Sequence, residues 1–276
     1  MQTKQQIQSL LAQAGLSPRH RFGQNFMIDQ NLLRIVADAG NPAAGDMVIE
    51  VGPGTGTLTE EILSRGAEVL AVEIDRDLAV LLRERFKDEP RFTLIEGDAL
   101  DSKHSLNRDL LSAIKSSKSR SKLIANLPYK IASPLIIELL LAGVDLLAFT
   151  VQKEVADRLR ASGGTDGYGA LSVMVQLLAK VAILRTLPPT AFWPAPKIES
   201  ALVRLTRDDR LGARARDFSA FLKKLFSSRR KTLRKSLSGV HDNPAQLLHK
   251  LDLDADVRGE KLSPQQLLLL FDRLNG

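Results

Sequence analysis

Apolar residues cluster in short runs between Asp46 and Gln152, and between the runs lie stretches with helical spacing. Continuous apolar runs suit strands buried on both faces. Their alternation with amphipathic segments predicts a parallel sheet covered by helices, a doubly wound α/β domain. The runs place strands at Met47 to Val51, Glu68 to Glu73, Phe92 to Glu96, Lys122 to Ala125 and Leu146 to Val151. Helices are expected over Leu58 to Ser64, with Thr57 as cap, and over Leu78 to Phe86. A third is expected to open with Ser133 as cap and Pro134 in its first turn.

The Ser- and Lys-rich stretch Ser102 to Ser121 reads as an exposed excursion before the fourth strand, and Ala161 to Gly169, with four glycines, as a connection. Val181 to Leu187 and Ser200 to Thr206 flank a proline-rich segment and predict an antiparallel hairpin that closes the sheet. From Asp217 on, short helical patterns alternate with polar breaks. The expected division is therefore an α/β domain over 1–206 and an all-helical domain over 207–276.

At 276 residues and 44% hydrophobic, the chain can bury a full core. There is no cysteine, which removes disulfides and thiolate metal sites and favours an intracellular, cytoplasmic location. The four histidines are scattered, and no metal is predicted. The first 16 residues are polar and glutamine-rich without a signal-like apolar core, and Ile131 to Val151 is interrupted by Pro134, Glu138, Gly143 and Asp145, so neither secretion nor a membrane span is expected.

Charge alters the picture at one end of the chain. The net charge is +7, and 207–276 hold fifteen Lys/Arg against nine Asp/Glu. Phe218 to His241 contain Lys223, Lys224, Arg229, Arg230, Lys231, Arg234 and Lys235 and no acid. A patch of one sign fits a polyanionic partner; a solvated helix face gives the same composition.

Candidate chemistry gathers at the predicted strand ends. Gly52-Pro53-Gly54-Thr55-Gly56 follows the first strand and opens a helix, so the backbone can approach a ligand closely there. The third glycine comes one residue too early for a dinucleotide fingerprint, which disfavours hydride transfer. Glu73 ends the next strand, 21 residues after Gly52, where an acid can bind both hydroxyls of an adenosine ribose. Asp98, in Glu96-Gly97-Asp98-Ala99, adds a carboxylate that can accept from an adenine amine. Asn126-Leu127-Pro128-Tyr129 closes the fourth strand with an amide, a fixed turn and a ring, the parts needed to hold a planar base by its exocyclic amine. Singly, each also fits ordinary capping or turn chemistry.

Together these motifs resemble a Rossmann-like, S-adenosylmethionine-dependent methyltransferase of the exocyclic-amine class. Asn-Leu-Pro-Tyr is similar to the form found in ribosomal RNA adenine dimethyltransferases. Arg21-Phe22-Gly23-Gln24-Asn25-Phe26, Gly167 to Val173, Phe192 to Ser200, Arg229 to Arg234 and Leu262-Ser263-Pro264 resemble segments of the KsgA family, which modifies small-subunit rRNA. The resemblance implies cofactor contacts at Gln24, Asn25, Met27 (through its backbone), Gly52, Gly54, Glu73, Ile74, Asp98, Ala99 and Asn126. It implies catalytic roles for Asn126, Leu127, Pro128 and Tyr129, with Phe192 near the target base. It also implies RNA contact by Lys223, Lys224, Arg229, Arg230, Lys231 and Arg234. The implied cofactor is S-adenosyl-L-methionine and the implied partner is 16S rRNA within the small ribosomal subunit. No association motif is evident, so a monomer is expected. An Erm-type enzyme acting on 23S rRNA and a binding-only relative of the mitochondrial transcription factor B type remain as rivals. The extended basic tail favours the small-subunit enzyme, and the intact acid and base-clamp residues favour catalysis.

Overall fold

The computed structural model describes residues 1–102, 105–227 and 231–275. Its strands are β1 Phe26–Met27, β2 Asp46–Val51, β3 Glu68–Glu73, β4 Phe92–Glu96, β5 Leu100–Ser102, β6 Ser105–Leu106, β7 Arg120–Asn126, β8 Leu146–Gln152, β9 Ala179–Leu187, β10 Phe192–Trp193 and β11 Ser200–Arg207. Seven of them form one sheet in the order β4-β3-β2-β7-β8-β11-β9. The first five of that order run parallel, and β11 is antiparallel to β8. Strand order reverses on either side of β2, between β3 and β7, and such a switch point opens a crevice at the strands' carboxyl ends.

β2, β7 and β8 are almost wholly buried, as their unbroken apolar runs predict. A charged pair also sits under this sheet. Lys122 Nζ donates to Asp46 Oδ2 and to the carbonyl of Asn41, both at 2.6 Å. Asn41 is the left-handed cap (φ 44°) of helix Gln30–Gly40, so one ammonium ties a helix end to two strands. A buried charge is tolerated because it is both paired and hydrogen-bonded.

Some local expectations give way to tertiary packing. Helix Thr57–Ser64 is capped by Gly56 in a left-handed conformation, and Thr57 is its buried first residue. Helix Ala132–Leu141 starts one residue before Ser133, with Ile131 at the cap position. Ser102 to Ser121 is not only an excursion: Arg108–Ser116 is a helix, capped by Asn107 and anchored by buried Leu110 and Ile114. The polar N-terminus forms helix Lys4–Gln13 with a Thr3/Gln6 capping box, and buries Ile7 and Leu11.

The chain forms two compact units. One comprises Met1–Ala156 and Val181–Arg207, the other Asp157–Lys180 and Asp208–Gly276. The helical unit thus takes in a segment preceding the last two sheet strands, whereas a single boundary after residue 206 was expected. Helix Ala170–Leu178 explains the difference, since it buries an almost continuous apolar face and packs with helices Ala215–Ser227 and Pro264–Asn275. Tyr168 donates its hydroxyl to the Leu262 carbonyl at 2.6 Å, and the Gly163 and Gly164 backbone lies against Lys261 and Leu262. No helix among the described residues is long and apolar enough to cross a membrane.

Candidate functional site

A cavity of about 260 Å³ opens at the carboxyl ends of β2, β3, β4 and β7. Each strand delivers one piece of the wall. β2 leads into Gly52 to Thr55, β3 ends at Glu73 with Ile74 following, β4 leads to Gly97, Asp98 and Ala99, and β7 ends at Asn126 with Leu127 to Tyr129 following. The segment Arg21 to Met27 supplies a further wall.

The glycine turn is required sterically. Gly52 and Gly54 have φ of +74° and +62°, and a Cβ on Gly54 would lie 2.9 Å from the Phe26 ring. A Cβ on Gly52 would press on Pro128 at 3.3 Å, so the loop also abuts the Asn-Leu-Pro-Tyr turn.

Two of the carboxyls in this wall, Glu73 and Glu50, are buried. Glu73 is buried, and its Oε1 accepts from the backbone N–H of Asp75 at 2.8 Å. Burial pushes its pKa up to about 7, with the Asp75 charge adding to the rise and backbone donors opposing it. Glu50, in β2, is also buried and accepts from the Thr59 hydroxyl at 2.6 Å. Burial raises it to about 8, against the Thr59 bond and with a contribution from Glu73. Glu50 had no role assigned from the sequence, although an acid within the run Val48-Ile49-Glu50-Val51 is the signal that marks it. Next to Glu73, Ile74 exposes 43% of its surface, an apolar face on the cavity. Asp98 is exposed and accepts from the Leu100 N–H at 3.0 Å.

The Asn126 amide is held from two sides. Its Nδ2 donates to the Asn25 carbonyl at 2.8 Å, and its Oδ1 accepts from the Thr150 hydroxyl at 2.5 Å. Tyr129 is half-buried, and its hydroxyl lies 2.7 Å from Ser200 Oγ. Across the cavity the Arg21 to Met27 segment is latched by polar contacts. Gln24 Nε2 donates to Asp75, Arg19 bridges Asp75 and Asp77, and Lys130 Nζ donates to the Arg21 carbonyl.

Gln24, Asn25, Met27, Gly52, Gly54, Glu73, Ile74, Asp98, Ala99 and Asn126 to Tyr129 all line this one cavity. Phe192 does not. Its side chain is 2% exposed and packs in the core cluster with Met27, Leu33 and Ala191. The reason is register: β10 pairs with β1, opposing Phe192 to Met27 and Trp193 to Phe26, so Phe192 supports the wall from behind. Thr150, Ser200, Glu50 and Thr59 are the site residues that sequence reasoning missed.

The basic residues belong to the helical unit. Lys223 and Lys224 are exposed on helix Ala215–Ser227, and Lys231 is exposed beyond it. Arg229 and Arg230 lie outside the described residues. Arg234 is exposed and forms an ion pair with Asp256 at 3.2 Å, which leaves it less charge to offer a partner. Among the described residues no group of His, Asp or Glu could hold a metal ion.

Comparison with known proteins bears on this geometry. The family model described as "Ribosomal RNA adenine dimethylase" matches residues 15–276. A ribosomal RNA small subunit methyltransferase A of Hahella chejuensis is 40% identical over 263 residues, covering 94% of this chain and 93% of the relative. Its counterpart in Magnetococcus marinus is 42% identical over 270 residues, covering 96% and 94%. Among solved structures, a dimethyladenosine transferase from Plasmodium falciparum has a TM-score of 0.72 at 24% identity, covering 91% of this chain and 98% of that one. The 23S rRNA methyltransferase ErmE has a TM-score of 0.65 at 25% identity, covering 91% and 100%. The fold is thus that of the Rossmann-like methyltransferases, with added helices.

Proposed function

The chain belongs to the ribosomal RNA adenine dimethylase family and is an rRNA methyltransferase, and from that premise we propose that it uses S-adenosyl-L-methionine to dimethylate the N6 amino groups of two adjacent adenosines near the 3′ end of 16S rRNA in the small ribosomal subunit. In this reading it acts in the cytoplasm as a monomer and takes part in ribosome biogenesis. The observation that carries the reading is that four neighbouring strand ends bring a glycine turn, a buried Glu73 and the Asn126 to Tyr129 turn into one cavity.

The residues present fit the cofactor. The turn has no room for a Cβ at Gly54 and little at Gly52, and both glycines take a left-handed backbone, so the main chain itself can face the donor. Glu73, once ionised, can accept both hydroxyls of a ribose, Ile74 offers an apolar face to a base, and Asp98 can accept from its amine. When bound, S-adenosyl-L-methionine supplies an electrophilic methyl group.

The chain's own work is positioning. An adenine amine is a weak nucleophile because its lone pair is shared with the ring. Asn126 Oδ1 keeps a second lone pair beyond the one that Thr150 occupies, so it can accept from the amine, as can the Leu127 carbonyl. Such acceptors favour a more tetrahedral nitrogen, while Pro128 fixes the turn and the Tyr129 ring offers a stacking face to a base taken out of its helix. Orientation of this kind supplies roughly 7 to 11 kcal/mol in the best intramolecular cases, so no side chain is needed as a dedicated base. The proton that each methyl group replaces leaves to solvent. Lys223, Lys224 and Lys231, with Arg229 and Arg230, are assigned to rRNA phosphates.

A transfer assay tests the assignment, using undermethylated small subunits, naked 16S rRNA and naked 23S rRNA, with the modified bases mapped. Methylation of paired adenosines in small subunits is expected. Methylation of 23S rRNA, or no transfer to any of the three, overturns it.

A further inference from the structure

The Asn-Leu-Pro-Tyr turn does not hold its own geometry. Both of its functional ends are hydrogen-bonded to fully buried hydroxyls on strands that follow it in sequence, Asn126 to Thr150 in β8 and Tyr129 to Ser200 in β11. The sheet register brings these together. Asn126 is aligned with Thr150 across the β7–β8 ladder, and Thr150 with Leu202 across the β8–β11 ladder. Ser200 lies two residues from Leu202, so its side chain leaves the sheet on the same face as Thr150.

The bonding around Asn126 admits one orientation of the amide. The Asn25 carbonyl can only accept, which fixes Nδ2 toward it; Oδ1 must then face Thr150, whose hydroxyl must donate. Flipping the amide would set Oδ1 against the Asn25 carbonyl. At the other end, Tyr129 has one polar atom, its hydroxyl, and the bond to Ser200 at 2.7 Å fixes where the ring stands along its long axis.

We infer that Thr150 and Ser200 are positioning residues for methyl transfer: one locks the Asn126 amide with its oxygen available to the target amine, and the other sets the Tyr129 ring against the target base. This rests on Asn126 to Tyr129 receiving the base, as proposed above. Neither Thr150 nor Ser200 lines the cavity, and both are fully buried. Each acts through the residue it holds, by removing a rotation that the substrate would otherwise have to arrest.

The test uses the full-length protein, with single-turnover methyl transfer on undermethylated small subunits, calorimetric titration of S-adenosyl-L-methionine, and thermal unfolding. Thr150→Val keeps the shape and removes the donor, whereas Thr150→Ser keeps the donor. Thr150→Val should slow transfer roughly ten- to a hundredfold with cofactor affinity nearly unchanged, and Thr150→Ser should recover most of the rate. Ser200→Ala and Tyr129→Phe delete one bond from its two ends, so the double variant should be no slower than the slower single one. Transfer by Thr150→Val at the wild-type rate overturns the role of Thr150, as does Thr150→Ser being equally slow while fully folded. Additive losses for Ser200→Ala and Tyr129→Phe overturn the role of Ser200, and this cycle stands even where Thr150→Val fails to fold. Asn126→Ala separates the two levels. Its full activity would remove the base-clamp reading itself, while its inactivity beside an active Thr150→Val removes only the positioning role.

Discussion

Glu50→Gln should stabilise the sheet-bearing unit progressively as pH rises, because the carboxyl it replaces is buried in a place that disfavours its charge. In the folded protein Glu50 titrates at about 8 instead of 4.5, with burial as the leading cause and Glu73 adding to it. The folded state therefore holds this proton more tightly than the unfolded chain. Its contribution is fully present below pH 4.5 and is lost as pH climbs toward 8. Between those limits the loss is about 1.4 kcal/mol per pH unit, or about 2.7 kcal/mol from pH 5.5 to 7.5. Glutamine keeps the shape and an acceptor for the Thr59 hydroxyl but has no proton to lose. Any constant offset from the amide cancels when the variant is compared with the wild type across pH, while the charge coupling between Glu50 and Glu73 is lost with the carboxylate and forms part of the difference. For a domain of this size, roughly 2–4 °C per kcal/mol makes the gap in melting temperature widen by about 5–10 °C over that interval, then level off above pH 8. Trp193 is the sole tryptophan and lies in the same compact unit, so its fluorescence reports the relevant transition. Melting curves that stay parallel from pH 5.5 to 8 would mean that Glu50 titrates near its ordinary value in a hydrated site, and would refute this account of the cavity wall.

Two further outcomes follow from the same wall. Since Glu73 titrates at about 7 and its ionised form is the stronger acceptor for the two ribose hydroxyls, S-adenosyl-L-methionine should bind more tightly as pH rises from 6 to 8, by up to about tenfold per unit below pH 7. Calorimetry should find Glu73→Gln weak and flat over that range, and a flat wild-type profile would remove the ribose role. Gly54→Ala places a Cβ 2.9 Å from the Phe26 ring at a φ of +62°, so it should cost about 1–3 kcal/mol in stability and weaken cofactor binding; an unchanged melting temperature and affinity would show that the turn can relax.

The sheet was legible because burial on both faces writes itself as uninterrupted apolar runs, and the strand ends were legible because glycines and acids punctuate them. The five parallel strands extend at most two residues past either end of the runs that announced them. Elements whose apolar content is sparse were harder to see. Helix Arg108–Ser116 rests on two buried residues, Leu110 and Ile114, within a stretch whose serines and lysines dominate any local reading. Helix Ala170–Leu178 lies between sheet strands in sequence, yet it contributes its apolar face to the other unit's core, and nothing local distinguishes the two destinations.

The site divides in the same way. Residues that meet a ligand directly, such as Gly52, Glu73 and Asn126, sit within a few positions of a strand end and carry the residue types their chemistry requires. The residues that orient them do not. Thr150 is 24 positions from Asn126, within an apolar strand, and Ser200 is 71 from Tyr129, at the start of another, and neither hydroxyl carries a local sign of its partner. Only the ladder register turns those positions into neighbours. Phe192 is placed by a pairing that the local sequence does not display: the β1–β10 ladder sets its ring in the core beside Met27. The base clamp is thus a four-residue turn whose chemistry is local and whose precision is borrowed from β8 and β11. Substitutions in those two strands should accordingly alter the rate of transfer before they alter the binding of either substrate.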